Sequence, residues 1–265
     1  MSANHNLQDI IVVGSGNVAE AIALACKECP TLNLRQVVAR NRQRTEQIAE
    51  IVDCEICNDL EKAADADIYI IAVSDSAVEQ VAHSLRRKAE SIVVHTAGSI
   101  GMEVLGGQQC GVLYPFQTFT KGRRVDFSQI PLFVEGSDPE TTAQIEQLAR
   151  KLSQRVWHAT SECRRDIHLT GVLACNFVNA LYAMAADHLM ERQGLPFDVL
   201  RPLIEETARK AIDSTHPAMV QTGPAVRGDV AVSQRHQQML SANERKQMIY
   251  KLLTEYIWET SKKTL

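Results

Sequence analysis

The chain has 265 residues, of which 45% are hydrophobic and 23% are charged, and its formal net charge is −4. This length and apolar content predict one large or two ordinary domains with an ample core. The acidic balance argues against a general nucleic-acid binder, because such proteins carry a basic excess. Residues 1–6 have neither a basic start nor an apolar run, and the sequence analysis finds no stretch of roughly 18 apolar residues. We therefore expect a soluble cytoplasmic protein with no membrane partner.

The first 160 residues alternate between predicted strands and helices. A strand over residues 9–13 precedes a glycine turn and an alanine-rich helix. Further strands are predicted at 34–39, 54–57, 67–73, 91–95, 111–114, 131–135 and 155–158, and further helices at 42–51, 75–87 and 139–152. Asp138 and Pro139 are typical of a helix start. This alternation predicts an α/β fold with a doubly wound sheet.

From residue 161 onward the pattern changes to one helix after another. A long apolar helix is predicted over 167–190, ending before Gly194, and later helices are predicted at 201–213 and 241–261. Ser241 and Glu244 have the spacing of a capping box. We expect a nucleotide-binding domain over 1–160 followed by an all-α domain over 161–265.

A glycine-rich segment connects the first strand to the first helix. It reads Gly14-Ser15-Gly16-Asn17-Val18-Ala19. Gly14 permits a tight turn, Gly16 lets the backbone approach a pyrophosphate, and Ala19 allows close helix packing. The helix N-terminus offers its amides to the phosphates. We predict dinucleotide binding by residues 14–18 in a Rossmann-like fold; the alternative is a tight turn in another α/β fold.

The end of the second strand bears on which dinucleotide is bound. An acid there would bind the ribose hydroxyl of NAD, whereas arginine accommodates the extra phosphate of NADP. The sequence reads Arg40-Asn41-Arg42, which favours NADP over NAD unless it is simply a solvated basic turn. Val73 ends a later predicted strand, and Ser74 and Asp75 follow it. All three are predicted at the cofactor crevice, although Ser74 and Asp75 also suit a helix cap.

The next strand ends in His95-Thr96-Ala97-Gly98-Ser99, which is the best candidate for a catalytic loop. His95 is a possible proton donor, because histidine titrates near neutrality, or is merely hydrogen-bonded. Thr96 and Gly98 are predicted near the cofactor and Ser99 near the substrate. The segment 114–119, with Gln117, suits either a substrate pocket or a packed turn.

Polar residues interrupt the long apolar helix at His168, Asn176 and Asn179. On an ideal helix Asn176 lies about 80° around the axis and about 12 Å along it from His168. We predict that Asn176 or Asn179 orients a ligand, with His168 at the pocket edge. The alternative is a buried structural asparagine.

A later glycine and proline loop contains Thr222, Arg227 and Asp229. Such loops often carry function, and Arg227 is suited to holding a substrate carboxylate or phosphate. An Arg227–Asp229 turn without a ligand is the alternative. Thr222 is predicted to contact the substrate as well.

Two pairs of cysteines have a spacing seen in zinc sites, Cys26 with Cys29 and Cys54 with Cys57. The second pair falls on a predicted strand, where residues three apart point to opposite faces. We therefore expect ordinary thiols in a reducing compartment and no metal.

Taken together, these motifs resemble those of the NADP oxidoreductases that join a Rossmann-like domain to a helical C-terminal domain of unknown function. The resemblance spans essentially the whole chain. It rests on residues 14–19, on His95-Thr96-Ala97-Gly98-Ser99, on residues 115–119, on Ala174-Cys175-Asn176-Phe177 with Asn179, and on the segment 222–229.

More distantly, the chain is similar to pyrroline-5-carboxylate reductase and the β-hydroxyacid dehydrogenases, whose helical domains dimerise. The resemblance implies a homodimer through the C-terminal helices. Two departures stand out. The substrate loop lacks the double glycine and paired threonines of the reductases, and Val172 stands where the dehydrogenases carry a catalytic lysine.

The resemblance implies an NADP(H)-dependent enzyme that transfers hydride to or from a small imine or keto or hydroxy acid. An imine substrate would lessen the need for the missing lysine as a proton donor, because an iminium is protonated before the hydride arrives. The competing hypothesis is a non-catalytic NADP-binding sensor or partner protein, in which the fold persists without chemistry.

Overall fold

A computed structural model describes residues 7–264, so the sequence prediction for residues 1–6 lies outside the described residues. Eight strands form one sheet in the order β3-β2-β1-β4-β5-β6-β7-β8. The strands are β1 (Gln8–Val13), β2 (Leu32–Val38), β3 (Glu55–Cys57), β4 (Ile68–Ile71), β5 (Ile92–His95), β6 (Cys110–Pro115), β7 (Leu132–Gly136) and β8 (Val156–His158).

The α-helices flank the sheet in the first part of the chain and follow one another in the second. They are α1 (Asn17–Glu28), α2 (Arg42–Val52), α3 (Val78–Ser84), α4 (Pro139–Leu152), α5 (Ser161–Gly171), α6 (Val178–Gln193), α7 (Arg201–Asp213), α8 (Val230–Met239) and α9 (Glu244–Thr264). The predicted class, a Rossmann-like α/β sheet followed by a helical region, is confirmed.

The chain builds the sheet outward from β1 in two directions. The strands β2 and β3 lie on one side of β1, and β4 lies on the other. Both pairings are parallel, so the carboxyl ends of the three strands meet at one edge. In open α/β sheets this switch point is where ligands bind. The apolar residues of β1 and β4 are buried from both faces, which explains why these strands read as continuous apolar runs.

The strand β7 runs antiparallel to β6, which the alternating pattern did not predict. A parallel strand would need a crossover connection, usually an α-helix. The connection between β6 and β7 has only turns and a short 3-10 segment, Phe127–Gln129, so the chain returns in the opposite direction.

The chain divides into two compact units, Met1–Asn176 and Phe177–Leu265. The domain boundary at 160/161 stays a prediction. The helix α5 belongs to the first unit because it is attached to the sheet. Arg164 of α5 is fully buried and donates to Glu135 of β7 at 2.5 Å and to the Ile100 carbonyl at 2.5 Å.

The helix α4 begins where the sequence predicts, whereas the last helix begins later than predicted. Asp138 accepts the Thr141 amide at 2.8 Å, and α4 has the predicted bounds. The predicted cap of the last helix at Ser241 is wrong. Asn243 accepts the Lys246 amide at 3.0 Å instead, because its side chain directly precedes the first helical residue.

Two other predicted helices differ from the structure, and one helix was not predicted. The predicted helix over 75–87 is shorter, because residues Asp75–Ala77 form a 3-10 turn before α3. The predicted long helix over 167–190 is interrupted by a π-helical segment, Val172–Phe177. The helix α8 was not predicted.

The second unit exposes many large apolar side chains, among them Leu203, Ile212 and Tyr256, and Ile212 is 80% exposed. The stretch Ser161–Gln193 is long and apolar enough to cross a membrane by length and composition, and no part of its most apolar window is buried. The prediction that the chain has no stretch of this kind is therefore wrong. One helix of this kind is weak evidence for a membrane protein.

Candidate cofactor and substrate site

The tight turn after β1 requires glycine at position 14. Gly14 has a φ of +137°, which L side chains rarely adopt, and its amide donates to the Val38 carbonyl at 2.8 Å. A Cβ at this position would lie only 2.1 Å from the Ala72 carbonyl oxygen. Gly14 therefore packs the turn against the ends of β2 and β4.

Gly16 stands at the N-terminus of α1 and faces open space. A Cβ added there would meet no atom within 4 Å, and φ is an ordinary −78°. No side chain of the described residues caps this helix. Its first amides are therefore available to an anion, which the helix dipole also favours. This arrangement fits the pyrophosphate of a dinucleotide.

A cavity of about 630 Å³ lies over this turn at the switch point of the sheet. Its wall is formed by the glycine turn, by the ends of β2 and β4, and by the segment after β6. The predicted cofactor residues in its lining are Gly14, Ser15, Gly16, Asn17, Val18, Arg40, Asn41, Val73 and Ser74. The predicted residues Arg42, Asp75, Thr96 and Gly98 are outside this lining.

The arginines after β2 differ in what they contact. Arg42 Nε donates to Glu46 at 2.8 Å, and Arg44 pairs with Glu20. Arg40 is exposed and lines the cavity, and no ion pair or hydrogen bond of its side chain occurs within the described part of the chain. Asn41 caps α2 by accepting the Arg44 amide at 3.1 Å. Among the arginines of this segment, Arg40 is thus the one whose guanidinium is available to bind a phosphate.

His95 is completely buried at the end of β5. Its Nδ1 accepts the Ala97 amide at 3.1 Å, and its Nε2 lies 3.3 Å from the Gly101 carbonyl. Burial first, and the positive charge of Arg164 second, lower the pKa of His95 to about 4. The neutral ring holds the loop in place, and this geometry favours a positioning role over direct proton transfer.

The rest of that loop packs against its neighbours. Thr96 is buried with its hydroxyl 3.5 Å from the Ile71 carbonyl, and Ser99 donates to Asp75. A Cβ at Gly98 would lie 2.6 Å from His168 Nδ1 and 2.9 Å from the Tyr114 hydroxyl. Gly98 therefore leaves the space in which Tyr114 and His168 meet.

A second cavity of about 240 Å³ lies beside the first. The Tyr114 hydroxyl and His168 Nδ1 are 3.1 Å apart in its wall. Asn176 and Gln117 also line it, and Gln117 lines the cofactor cavity as well. The two cavities therefore adjoin at Gln117, and Asn17 ties the same segment to the glycine turn by donating to the Phe119 carbonyl at 3.1 Å.

The π-helical segment explains how His168 and Asn176 come to share this cavity. An ideal α-helix would turn them about 80° apart, but the π segment Val172–Phe177 changes that relation. Such insertions are frequent at functional sites. Residues Ala174 and Cys175 of the segment also line the cavity.

Comparison with family models finds two matches. Residues 9–98 match the family described as "NADP oxidoreductase coenzyme F420-dependent", and residues 130–257 match the "Domain of unknown function (DUF2520)". A solved structure from Bacteroides fragilis, described as a "putative NADP oxidoreductase", is 39% identical, covers 97% of this chain and 100% of its own, and has a TM-score of 0.86. The chain belongs to this NADP oxidoreductase family.

Other solved structures share the fold of this oxidoreductase at low identity. A 1-pyrroline-5-carboxylate reductase from Streptococcus pyogenes is 14% identical over 96% of this chain and 99% of its own, with a TM-score of 0.60. An imine reductase from Myxococcus stipitatus in complex with NADP+ is 13% identical over 96% of this chain and 94% of its own, with a TM-score of 0.63. No curated protein matches significantly.

Three predicted substrate residues of the oxidoreductase lie in its second unit. Asn179 is in α6, and Thr222 and Arg227 are in the loop before α8; all three are exposed, and none lines either cavity. Asp229 caps α8 by accepting the Val232 amide at 3.1 Å. Their roles stay predictions.

The cysteines of the oxidoreductase are free thiols in the structure. Across residues 7–264 no three histidine, cysteine or acidic side chains group as metal ligands. The sequence predicts either a substrate pocket or a packed turn for the segment 114–119 and does not single out Tyr114. The signal that was available is the position of Tyr114 at the carboxyl end of a sheet strand.

Proposed function

We propose that this protein is an NADP(H)-dependent reductase of a small substrate that contains a carbonyl or imine group. The proposal rests on one arrangement. The glycine turn and the N-terminus of α1, which no described side chain caps, lie beneath a cavity, and this cavity adjoins a second, smaller one. The first cavity would hold the dinucleotide and the second the substrate. When bound, the nicotinamide supplies the hydride.

Arg40 supports NADP over NAD as the cofactor. It lines the cavity near the end of β2, where the adenosine ribose of a dinucleotide lies in this fold. With no acidic side chain in that cavity lining to bind a ribose hydroxyl, a phosphate is the better partner for the free guanidinium.

The proposed direction and chemistry draw on the structural relatives. The Myxococcus stipitatus relative is an imine reductase in complex with NADP+, and the Streptococcus pyogenes relative is a 1-pyrroline-5-carboxylate reductase. Both names describe the reduction of a carbon–nitrogen double bond. Val172 replaces the lysine expected of a hydroxyacid dehydrogenase, so the proton must come from elsewhere in the site.

We also propose a cytoplasmic homodimer. The unpaired thiols suit a reducing compartment. The helices α6 and α7 bury none of their residues, and exposed apolar side chains recur along α9. A second copy offers the same apolar surface, and self-complementary dimers are the commonest oligomers.

The experiment measures NADPH and NADH binding by ligand fluorescence, together with turnover of cyclic imines, ketones and 2-keto acids. We expect NADPH to bind at least about tenfold more tightly than NADH, a difference of about 1.4 kcal/mol. Arg40→Ser should remove most of that preference, whereas Arg42→Ser should leave it, because Arg42 is paired with Glu46.

Two results would contradict this proposal. Absence of binding to either dinucleotide refutes the cofactor site. Tight NADPH binding without turnover of any compound in the panel would favour a non-catalytic sensor over a reductase.

A further inference from the structure

We infer that Tyr114 is the catalytic proton donor of this site and that His168 positions and reprotonates it, for reduction of a small uncharged aldehyde or ketone. The inference rests on the proposed function. It deepens that function by naming the proton source and by selecting the carbonyl substrates over the preformed iminium ions.

The geometry of the pair carries the inference. Tyr114 lies at the carboxyl end of β6, and its hydroxyl is 3.1 Å from His168 Nδ1. The Tyr114 ring packs at centroid distances of 6.1 Å from Phe116 and 6.4 Å from Phe133, so its orientation is fixed. Both members of the pair line the smaller cavity.

The space around the pair is kept open by a glycine. Any side chain at Gly98 would collide with the Tyr114 hydroxyl and His168 Nδ1. His168 is half-buried, whereas Tyr114 is only 9% exposed. The pair therefore connects an enclosed phenol to a ring that solvent reaches, which is the arrangement a proton relay needs.

The phenol is in the correct state to donate. Burial first, and the negative charge of Asp75 second, raise the pKa of Tyr114 to about 12, against a smaller opposite effect of Arg164. Tyr114 is therefore fully protonated at neutral pH. His95 cannot take this role without breaking its hydrogen bonds inside the loop.

The proton and electron balance is complete with the cofactor of the proposed function. The hydride carries two electrons to the carbonyl carbon, the carbon–oxygen π bond breaks, and the carbonyl oxygen takes the Tyr114 proton. His168 returns a proton to the phenolate oxygen and takes up a proton from solvent in exchange. The net reaction consumes one proton and oxidises one NADPH.

The lining of the smaller cavity defines the substrate class. It contains aromatic, amide, hydroxyl, thiol and imidazole groups but neither a carboxylate nor a permanently charged cation among the residues that the structure describes. Its volume of about 240 Å³ is below the range typical of drug-sized ligands. A small uncharged carbonyl compound fits these two properties.

The test compares a ketone with an N-alkyl iminium ion, which accepts hydride but needs no proton. Tyr114→Phe should lower kcat for the ketone by about 100-fold, a typical contribution of a general acid. Turnover of the iminium should stay within about twofold of the wild-type rate. NADPH binding, measured separately by fluorescence, should be unchanged.

The chain offers a matched control in its second unit. His236 Nδ1 and the Tyr250 hydroxyl are 2.8 Å apart, so Tyr250→Phe removes a hydroxyl from a second tyrosine–histidine pair. We expect this variant to retain ketone turnover. A general effect of losing such a pair would instead lower turnover in both variants.

His168 is tested as a positioning residue. His168→Asn keeps an amide donor near the phenol oxygen but cannot relay a proton, whereas His168→Ala keeps neither. We expect kcat for the ketone to fall in the order wild type, His168→Asn, His168→Ala, with KM little changed. A larger effect on KM than on kcat would indicate a binding role and overturn the relay.

A measurement without substrate or cofactor completes the test. In NMR of protein carrying ¹³Cζ-labelled tyrosine, the resonance lost in Tyr114→Phe should remain that of a neutral phenol at a pH of about 10, where free tyrosine ionises. Ionisation at that pH would mean that solvent reaches the phenol, which would overturn the enclosed site from which the inference is argued.

The outcomes separate the two proposals. If the wild type does not bind NADPH, the proposed function fails. If it binds NADPH and reduces the ketone, but Tyr114→Phe does so equally well, only the proton donor is wrong. Equal losses on ketone and iminium, or a wild type that reduces only the iminium, also overturn the inference.

Discussion

The guanidinium of Arg164 has no exposed surface, and Glu135 balances its charge at 2.5 Å. This ion pair joins α5 to β7. Because Arg164 also donates to the Ile100 carbonyl, it connects the helix that carries His168 to the loop that carries Gly98. The position of the smaller cavity thus depends on this ion pair.

Breaking this pair on one side should destabilise the first unit strongly. Glu135→Gln leaves a buried cation without its counter-charge, and we expect a loss of about 3–5 kcal/mol. Unfolding by denaturant, followed by Trp157 fluorescence in a Trp258→Phe background, reports on the first unit. The control is Glu146→Gln, which removes a partly exposed carboxylate that pairs with the exposed Arg150, and it should cost less than about 1 kcal/mol. Similar losses in the two variants would show that burial of Arg164 is unimportant.

The buried His95 makes the stability of the first unit depend on pH. The pKa of His95 is lowered from 6.5 to about 4 in the folded state. Between these two pH values His95 is protonated in the unfolded chain but neutral in the folded chain, so acidification favours unfolding. The stabilisation is complete above pH 6.5 and is lost as the pH falls from 6.5 to 4, by up to about 3 kcal/mol.

His95→Gln retains a donor for the Gly101 carbonyl without a titrating group. We expect the variant to be less stable at pH 7.5 but to lose less of its stability on acidification. The measurement is Tm between pH 7.5 and pH 4.5, compared with the wild type. Parallel curves for the two proteins would mean that His95 does not titrate in this range.

Two glycines of one turn should respond differently to the same substitution. Gly16→Ala places a methyl group in open space with a permitted φ, so Tm should stay within about 2 °C of the wild type. The same methyl group would occupy the path to the α1 amides, and NADPH affinity should fall at least about tenfold, by about 1.4 kcal/mol.

Gly14→Ala is the contrasting variant. Its methyl group meets the Ala72 carbonyl at 2.1 Å and φ is +137°, so both stability and binding should be lost. Calorimetry and fluorescence titration of both variants decide between the two effects. Unchanged NADPH binding in Gly16→Ala would contradict the pyrophosphate position.

The features that the sequence predicts correctly are determined by short segments of the chain. The turn at Gly14 and the start of α4 at Asp138 each require only a few neighbouring residues to identify. The features it missed depend on distant ones. Tyr114 and His168 are 54 residues apart, and they meet because α5 is attached to the sheet through contacts such as those of Arg164.

The π segment and the burial of His95 were hidden for the same physical reason. The sequence predicts an ideal 3.6-residue helix through Asn176, whereas the folded chain has a π-helical period over Val172–Phe177. A histidine at a strand end looks accessible in sequence. Its exposure is decided by Arg164 and the loop around Gly101, which come from other parts of the chain.

The exposed apolar surface of the second unit predicts the oligomeric state. Leu252 of α9 is 56% exposed and is flanked by the exposed side chains of Ile249 and Tyr256. Leu252→Glu should place a charge in the dimer interface and shift the mass measured by light scattering from dimer to monomer. Gln147→Glu, on an exposed position of α4 in the first unit, is the matched control and should remain dimeric. A monomeric wild type would refute the interface, and co-sedimentation of that monomer with lipid vesicles would assign the apolar stretch Ser161–Gln193 to a membrane instead.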